Sequence, residues 1–395
     1  MGTTLTKHIL MIAYSNYRLD NRVRRVSKAL ASIGEYEVAV LAPKIEDYPR
    51  NYRVDGVNIM ELNVSHYRGK SQLSYLMSYI KFFLYALFAC TKLFVQGRVD
   101  IAHIHNMPDF MVFAALTPRL FGRKVILDIH DSMPETYSAK YSDKSNILFK
   151  LLCLEESLSC RFAQKIICVN HPQRDVLIER GIPGNKIHIC INTPDEVWFN
   201  SNRCSKDKNE NSRSFKLVYH GTLAKRLGID LVIQAVSMLA GKIPDLEFHV
   251  IGSGDDSNDF ATLARSLGID DRIFFHKTIP HDCIAATLQG MQLGVVANRK
   301  NIATELMLPV KMLEYVALNI PVVVPRLKTI QFYFTDDMVI YFDPENVDSL
   351  VAAIREAYYN ETKRLKQTEN ARRFLTRYGW DKHKYDLFSL YRSLA

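Results

Sequence analysis

The sequence predicts an α/β protein made of two doubly wound units of similar size, each with a parallel sheet covered by helices. Three observations carry that expectation. Short apolar runs rich in Val and Ile alternate with longer helical patterns, as in strand–crossover–strand units. A polar stretch at 199–214, FNSNRCSKDKNENSRS, breaks this periodicity, and the alternation then restarts. The length, 395 residues, suits two domains of roughly 100–200 residues each.

In the first unit, residues 1–198, strands are expected at 8–13, 36–42, 57–62, 101–105, 124–129, 165–169 and 186–191, with helical patterns such as 21–33 and 146–162 between them. The loop 199–214 follows. In the second unit, residues 215–378, strands are expected at 215–220, 246–251, 272–275, 293–296, 321–324 and 338–342. Helices at 228–239, 259–267, 281–288, 309–318 and 347–359 separate them. From about 361 to 395 the pattern is helical throughout, with Gly379 as the break. Open parallel sheets bind ligands at the carboxyl ends of their strands, so the site is expected in a central cleft that the two units face.

At 48% hydrophobic and 24% charged, the composition is that of an ordinary globular protein, not a disordered tail, a collagen-like fibre or a coiled-coil rod. The net charge is +9, and residues 1–190 carry 25 Lys/Arg against 17 Asp/Glu, so the excess lies in the first half. Such a balance points to an anionic partner: nucleic acid, anionic lipid or a phosphate-bearing substrate. Seven scattered cysteines, odd in number and without CxxC spacing, indicate a reducing compartment with no disulfide framework or zinc site. The apolar run at 9–13 is too short for a signal peptide and reads as a first strand.

Residues 73–95, LSYLMSYIKFFLYALFACTKLFV, are apolar, but only ten residues separate Lys81 from Lys92, against about 20 needed to span a bilayer. The expectation is a buried helix of the basic domain; the alternative is a helix whose aromatic face dips into a membrane interface.

Five motifs carry chemistry. In HGTLAKRLGID, 220–230, a strand ends in a glycine turn before a helix, an arrangement that brings backbone N–H groups and the helix's positive end to an anion. Lys225 and Arg226 could neutralise a diphosphate there, or be ordinary solvated basic residues. VIGSGDD, 250–256, reads as a tight turn after a strand. In NRKNIATELMLPVKMLEYVALNIPVVV, 298–324, Pro309 suits a first helical turn, and Lys311 and Glu314 share one helix face. Glu314 could accept hydrogen bonds from a ribose diol; Lys311 could meet phosphate or pair with Glu314 itself. In LDIHDSMPE, 127–135, a strand delivers Asp128, His130 and Asp131 to its carboxyl end. In YSNYRLDNRVRRVSKAL, 14–30, Asp20, Arg22 and Arg25 sit at the head of a helix, facing either an anionic acceptor or solvent. The sequence contains no P-loop, Ser-His-Asp set, zinc HxxxH or dinucleotide GxGxxG, so NAD or ATP chemistry is not indicated.

In order along the chain, LDNRVRR, LDIHDSMPE, FAQKIICVN with ICINTPDEVWF, HGTLAKRLGIDLVIQAV, VIGSGDD and LPVKMLEYVALNIPVVVP resemble the family-4 retaining glycosyltransferases of GT-B fold. The last of these is similar to the subgroup that reads LPxKxxEY. The resemblance implies two Rossmann-like domains, an N-terminal one for the acceptor and a C-terminal one for a sugar nucleotide, with 379–395 crossing back to the first. It implies that Glu314 holds the donor ribose, that Gly221 with its turn lies near the diphosphate, and that His130 reaches the donor sugar. Asn298 and Leu306 fall in the donor-sugar loop. The wider family carries a second glutamate eight positions before Glu314, where this chain has Leu306. Glu305, one residue earlier, takes that catalytic role by a shifted loop. Thr222 stands where the family has an arginine, so Arg226, or Lys225, supplies the lost positive charge; Lys311 matches the lysine of the LPxKxxEY subgroup and is expected on the diphosphate.

The implied reaction moves a hexosyl unit from a nucleoside diphosphate sugar to a glycan or lipid-linked acceptor, with retention and without a metal ion or other cofactor. It belongs to bacterial-type surface polysaccharide or glycolipid assembly in the cytoplasm, peripherally at the inner face of the membrane. The alternatives are a nucleotide-sugar epimerase or hydrolase on the same fold, and a non-catalytic membrane-surface protein. Nucleic-acid binding is not expected, because the aromatic residues concentrate in 75–94 instead of interleaving with basic ones.

Overall fold

A computed structural model describes residues 6–45, 49–67, 69, 71–141, 146–195, 198–199 and 214–394. The chain divides into two compact units, Met1–Asn192 with Asp381–Ala395, and Thr193–Trp380. Most of the expected polar loop, together with Cys204, lies outside the described residues.

In the first unit the order is β1 (Lys7–Ala13), α1 (Asn21–Ser32), β2 (Tyr36–Lys44), β3 (Asn51–Val54), β4 (Val57–Ser65), α2 (Gln72–Val95), β5 (Ile101–His105), α3 (Leu116–Leu120), β6 (Lys124–Ile129), α4 (Met133–Tyr141), α5 (Asn146–Phe162), β7 (Lys165–Cys168), α6 (His171–Glu179) and β8 (Ile187–Ile189). The strands form one sheet in the order β3-β4-β2-β1-β5-β6-β7-β8, parallel except for the β3–β4 hairpin. Helix α1 begins where Asp20 accepts the Val23 backbone N–H at 3.0 Å, and its buried face carries Val23, Val26 and Leu30. β3 is absent from the expected strands. Its hairpin closes through Asp55-Gly56, both at positive φ, which is the dipeptide that two-residue hairpin turns demand.

The second unit follows with β9 (Phe215–His220), α7 (Ile229–Leu239), β10 (Leu246–Ile251), α8 (Ser257–Ser266), β11 (Ile273–His276), α9 (His281–Thr287), β12 (Leu293–Val295), α10 (Val310–Ala317), β13 (Val322–Pro325), α11 (Lys328–Tyr333), β14 (Ile340–Phe342), α12 (Val347–Tyr359) and α13 (Glu361–Tyr378). Its sheet runs β11-β10-β9-β12-β13-β14, all parallel. Helix α14 (Trp380–Leu394) returns to the first unit, where the Tyr391 hydroxyl meets His103 Nδ1 at 2.5 Å and Arg392 pairs with Glu35.

One expectation is corrected. α2 is not a buried helix: only 17% of its most apolar window is buried. Phe82, Ala86, Cys90 and Leu93 join the core beside β5 and β6, while Leu73, Phe88 and Val95 on the other side are 69%, 74% and 78% exposed. By length and composition the helix could also cross a membrane. The sequence does not distinguish the two sides because both are apolar.

Candidate functional site

In the second unit the candidate site is built where β9 and β10 end. Gly221 follows β9 at φ +118°, and a side chain there would place its Cβ 3.1 Å from Lys311 Nζ. The turn is zipped to the one after β10: Gly221 N–H donates to Ile251 O at 2.9 Å and Leu223 N–H to Ser253 O at 3.0 Å. Gly252 makes this possible. At φ +142°, a Cβ on it would lie 2.0 Å from the Gly221 carbonyl oxygen. The GSG motif, expected to be only a tight turn, is thus the backing of the 221–228 loop. That loop leads into α7, whose N-terminus carries the helix's partial positive charge.

Lys311 enters this turn from the first turns of α10. Its Nζ donates to the Tyr219 hydroxyl at 2.7 Å and lies 3.9 Å from the centre of that ring. Burial pushes the ammonium down to about 7; Glu314 opposes the shift and Arg226 adds to it. Lys311 and Glu314 form no ion pair, contrary to one of the two expected readings. Glu314 is buried and accepts His220 Nε2–H at 2.6 Å, while His220 Nδ1 lies 2.9 Å from the Tyr315 hydroxyl. Each charged group on this face therefore has its own aromatic support: Tyr219 under the lysine, and His220 with Tyr315 beside the glutamate.

The basic residues of the turn divide. Lys225 Nζ sits 3.1 Å from Asp259 in the first turn of α8, an exposed pair that raises its pKa. Arg226 is exposed and near enough to shift both Lys311 and Tyr219. The Thr222 carbonyl accepts the Tyr219 hydroxyl at 2.7 Å. Asn298 is buried, with its side-chain oxygen lacking a hydrogen-bond partner. Leu306 ends a short 3-10 turn, Thr304–Leu306. Glu305, expected to be catalytic, accepts the Lys328 backbone N–H on Oε2 at 2.6 Å at the start of α11, and Lys300 lies 3.4 Å from its Oε1.

A second constellation lies in the first unit at the end of β6. Arg22 is not on an acceptor-facing surface. It is 3% exposed and donates to both oxygens of buried Asp128, at 2.7 and 3.0 Å, and to the Cys190 carbonyl at 2.8 Å. Burial disfavours the Asp128 charge, but Arg22 and the surrounding imidazoles outweigh it and hold the carboxyl well below the usual range. Arg25 reaches Asn192 Oδ1 at 3.2 Å. Asp20 caps α1, and its carboxyl is lowered, with His130 and the Val23 N–H outweighing its burial.

His130 stands at the exposed edge of this group, its ring pinned by His105 Nδ1 at 3.0 Å and Asp128 at 3.4 Å. Its backbone N–H donates to Asn106 Oδ1 at 2.8 Å. Burial pushes the pKa of His103 down, and that of His105 down to about 3, so both are neutral near pH 7. The motif reading did not single out His103, His105 or Asn106. The signal was two histidines two residues apart in a strand, which places them on one face at the ligand end of β5. Among the described residues, His103, His105 and Asp128 are close enough together to hold a metal ion. A cation there would have to displace the guanidinium that already occupies both Asp128 oxygens.

Two family models match: Glycosyltransferase Family 4 over residues 19–193, and Glycosyl transferases group 1 over residues 200–374. The chain belongs to the family-4-type glycosyltransferases. This glycosyltransferase is 25% identical over 289 residues to a 2-deoxystreptamine N-acetyl-D-glucosaminyltransferase of Streptomyces fradiae, covering 70% of this chain and 68% of that one. It is 24% identical over 245 residues to a D-inositol 3-phosphate glycosyltransferase of Corynebacterium urealyticum, covering 58% and 57%. Among solved structures, sucrose-phosphate synthase from Thermosynechococcus elongatus superposes with a TM-score of 0.80 at 16% identity, covering 98% and 99% of the two chains. The Anabaena protein HepE, solved in complex with UDP, gives 0.72 at 12% identity and covers 98% and 100%. The fold is GT-B, with two Rossmann-like domains.

Proposed function

We propose that this glycosyltransferase belongs to the LPxKxxEY subgroup and moves a hexosyl unit from a nucleoside diphosphate sugar to a glycan or lipid-linked acceptor, with retention at the anomeric carbon. The observation that carries the reading is Lys311, a desolvated ammonium held against the Gly221 turn without a carboxylate within ion-pair distance. A half-buried ammonium with no carboxylate in ion-pair distance is costly to desolvate, and a diphosphate seated on this turn would complete it.

Departure of the nucleoside diphosphate builds negative charge on its oxygens. Lys311, Arg226 and the N-terminal end of α7 would stabilise that charge as it develops. These cations take the place of a metal ion. Glu314, steadied by His220, would accept the ribose hydroxyls. His130, fixed by His105, Asp128 and Asn106, would orient the sugar as positive character grows on its ring. The acceptor attacks on the face the diphosphate leaves, and a leaving oxygen takes the acceptor's proton. The setting we infer is bacterial-type polysaccharide or glycolipid assembly in the cytoplasm.

The test is thermal unfolding against a panel of UDP, GDP, ADP and their sugars. A nucleotide at about 100 times its dissociation constant adds roughly 2.7 kcal/mol, or about 5–10 °C for a domain of this size. One base should stand out. A flat panel would remove the donor assignment.

A further inference from the structure

We infer that the outer face of α2 is a docking surface for an anionic lipid bilayer, lying along the membrane without crossing it. The inference goes beyond sugar transfer and rests on separate residues.

The exposed positions of α2 recur every three to four residues: Leu76, Ile80, Leu84, Phe88, Lys92 and Val95 form one stripe, with exposed Lys81 on the same side. At 24 residues the helix is about 36 Å long. An apolar stripe of this length is larger than the scattered exposed residues of ordinary surfaces. It continues onto the end of α3, where Leu120 and the following Phe121 are exposed and the Phe94 and Phe121 rings lie 5.5 Å apart. At its other end it runs into a groove of about 1020 Å³ beside the end of β4, lined in part by Val64, His66, Met77 and Lys81. On α5 a second exposed stripe, Ile147, Leu151, Leu154 and Leu158, repeats the pattern.

Three features select the occupant. The inner face of α2, Phe82, Ala86, Cys90 and Leu93, is core of the first unit, so the helix cannot leave to span a bilayer without opening that core. Neither α2 nor α3 contains an acidic residue, and the unit carries the chain's basic excess, which fits an anionic surface. A two-fold pairing of copies centred on the stripe would set the lysines of one copy against those of the other, which disfavours self-association. An amphipathic helix with long cationic side chains beside an apolar stripe is suited to the headgroup boundary.

The test is flotation of the full chain with vesicles of phosphatidylcholine alone, or with about one-third phosphatidylglycerol. The protein should float with the anionic vesicles and be released by salt. Lys81→Gln with Lys92→Gln should weaken binding on the order of 30-fold. Leu84→Glu with Phe88→Glu should abolish it while leaving the thermal unfolding profile in place, since both side chains are exposed. Flotation equal for wild type and the glutamate variant, or none for wild type, overturns the proposal. So does a dimer in lipid-free solution that the glutamate variant dissociates, which would make a second copy the occupant. None of these outcomes depends on a sugar donor, so failure here is distinct from failure of the transferase reading.

Discussion

If Lys311 holds the diphosphate as an ammonium, donor binding must depend on pH in a range where lysines ordinarily do not titrate. Burial brings its pKa down to about 7. If only the protonated form binds, the apparent dissociation constant rises about 10-fold between pH 6 and pH 8, whereas a lysine near its ordinary pKa of about 10.4 gives no change there. A nucleotide sugar is the right probe, because both of its phosphates keep constant charge over this range. Calorimetric titration from pH 6 to pH 8.5 would read the slope in the wild type, in Lys311→Arg and in Lys311→Ala. Arginine stays charged and should flatten the slope. Alanine should weaken binding at pH 6 by about 10-fold or more, the loss of one charge-assisted hydrogen bond. A pH-independent wild type, or Lys311→Ala binding as tightly as wild type, would show that the Lys311 ammonium does not hold the diphosphate.

The same desolvated charge opposes stability in the nucleotide-free protein. With its folded pKa lowered, the unfolded state binds more protons between about pH 7 and pH 10, so stability rises with pH there. Lys311→Met should raise the melting temperature at pH 7. Removing one side of the Arg22–Asp128 pair should cost about 3–5 kcal/mol in denaturant unfolding, because the other charge is left buried. Burial pushes Asp109 up to about 8, so its folded form holds a proton that the unfolded chain releases; this stability is lost as pH rises toward 8, and Asp109→Asn should flatten that loss in melts across pH 5–9. Glu305→Gln should retain most of its turnover while losing about 1 kcal/mol of stability, since Oε2 accepts a backbone N–H of α11; a large fall in turnover without loss of stability would return the residue to the chemistry. Chelation with EDTA should leave turnover unchanged.

The alternation of Val- and Ile-rich runs made the two parallel sheets legible, because strands buried on both faces leave a continuous apolar signature. β3 was missed because a short, mostly exposed hairpin strand has no such signature. α11 was missed because six residues are too few to show helical periodicity. Spacing correctly placed Lys311 and Glu314 on α10, but not their partners. Tyr219, His220 and Tyr315 come from a strand and a helix more than ninety residues apart, and only the folded sheet brings them together. Arg22 was misread for the same reason: a basic residue at a helix start resembles a solvated one until Asp128, 106 residues away, is seen beneath it. On α2 composition could not separate the packed side from the exposed side, because both are apolar.

Transfer on this chain means that a sugar leaves its nucleotide and is joined to an acceptor. Its most direct test follows labelled sugar from the nucleotide selected by the unfolding panel, with and without a bacterial lipid and glycan extract. Nucleoside diphosphate release should require the extract, label should be recovered in the extract, and both should be lost in the Lys311→Ala, Arg226→Ala double variant. Equal release without extract, with all label as free sugar, would contradict it.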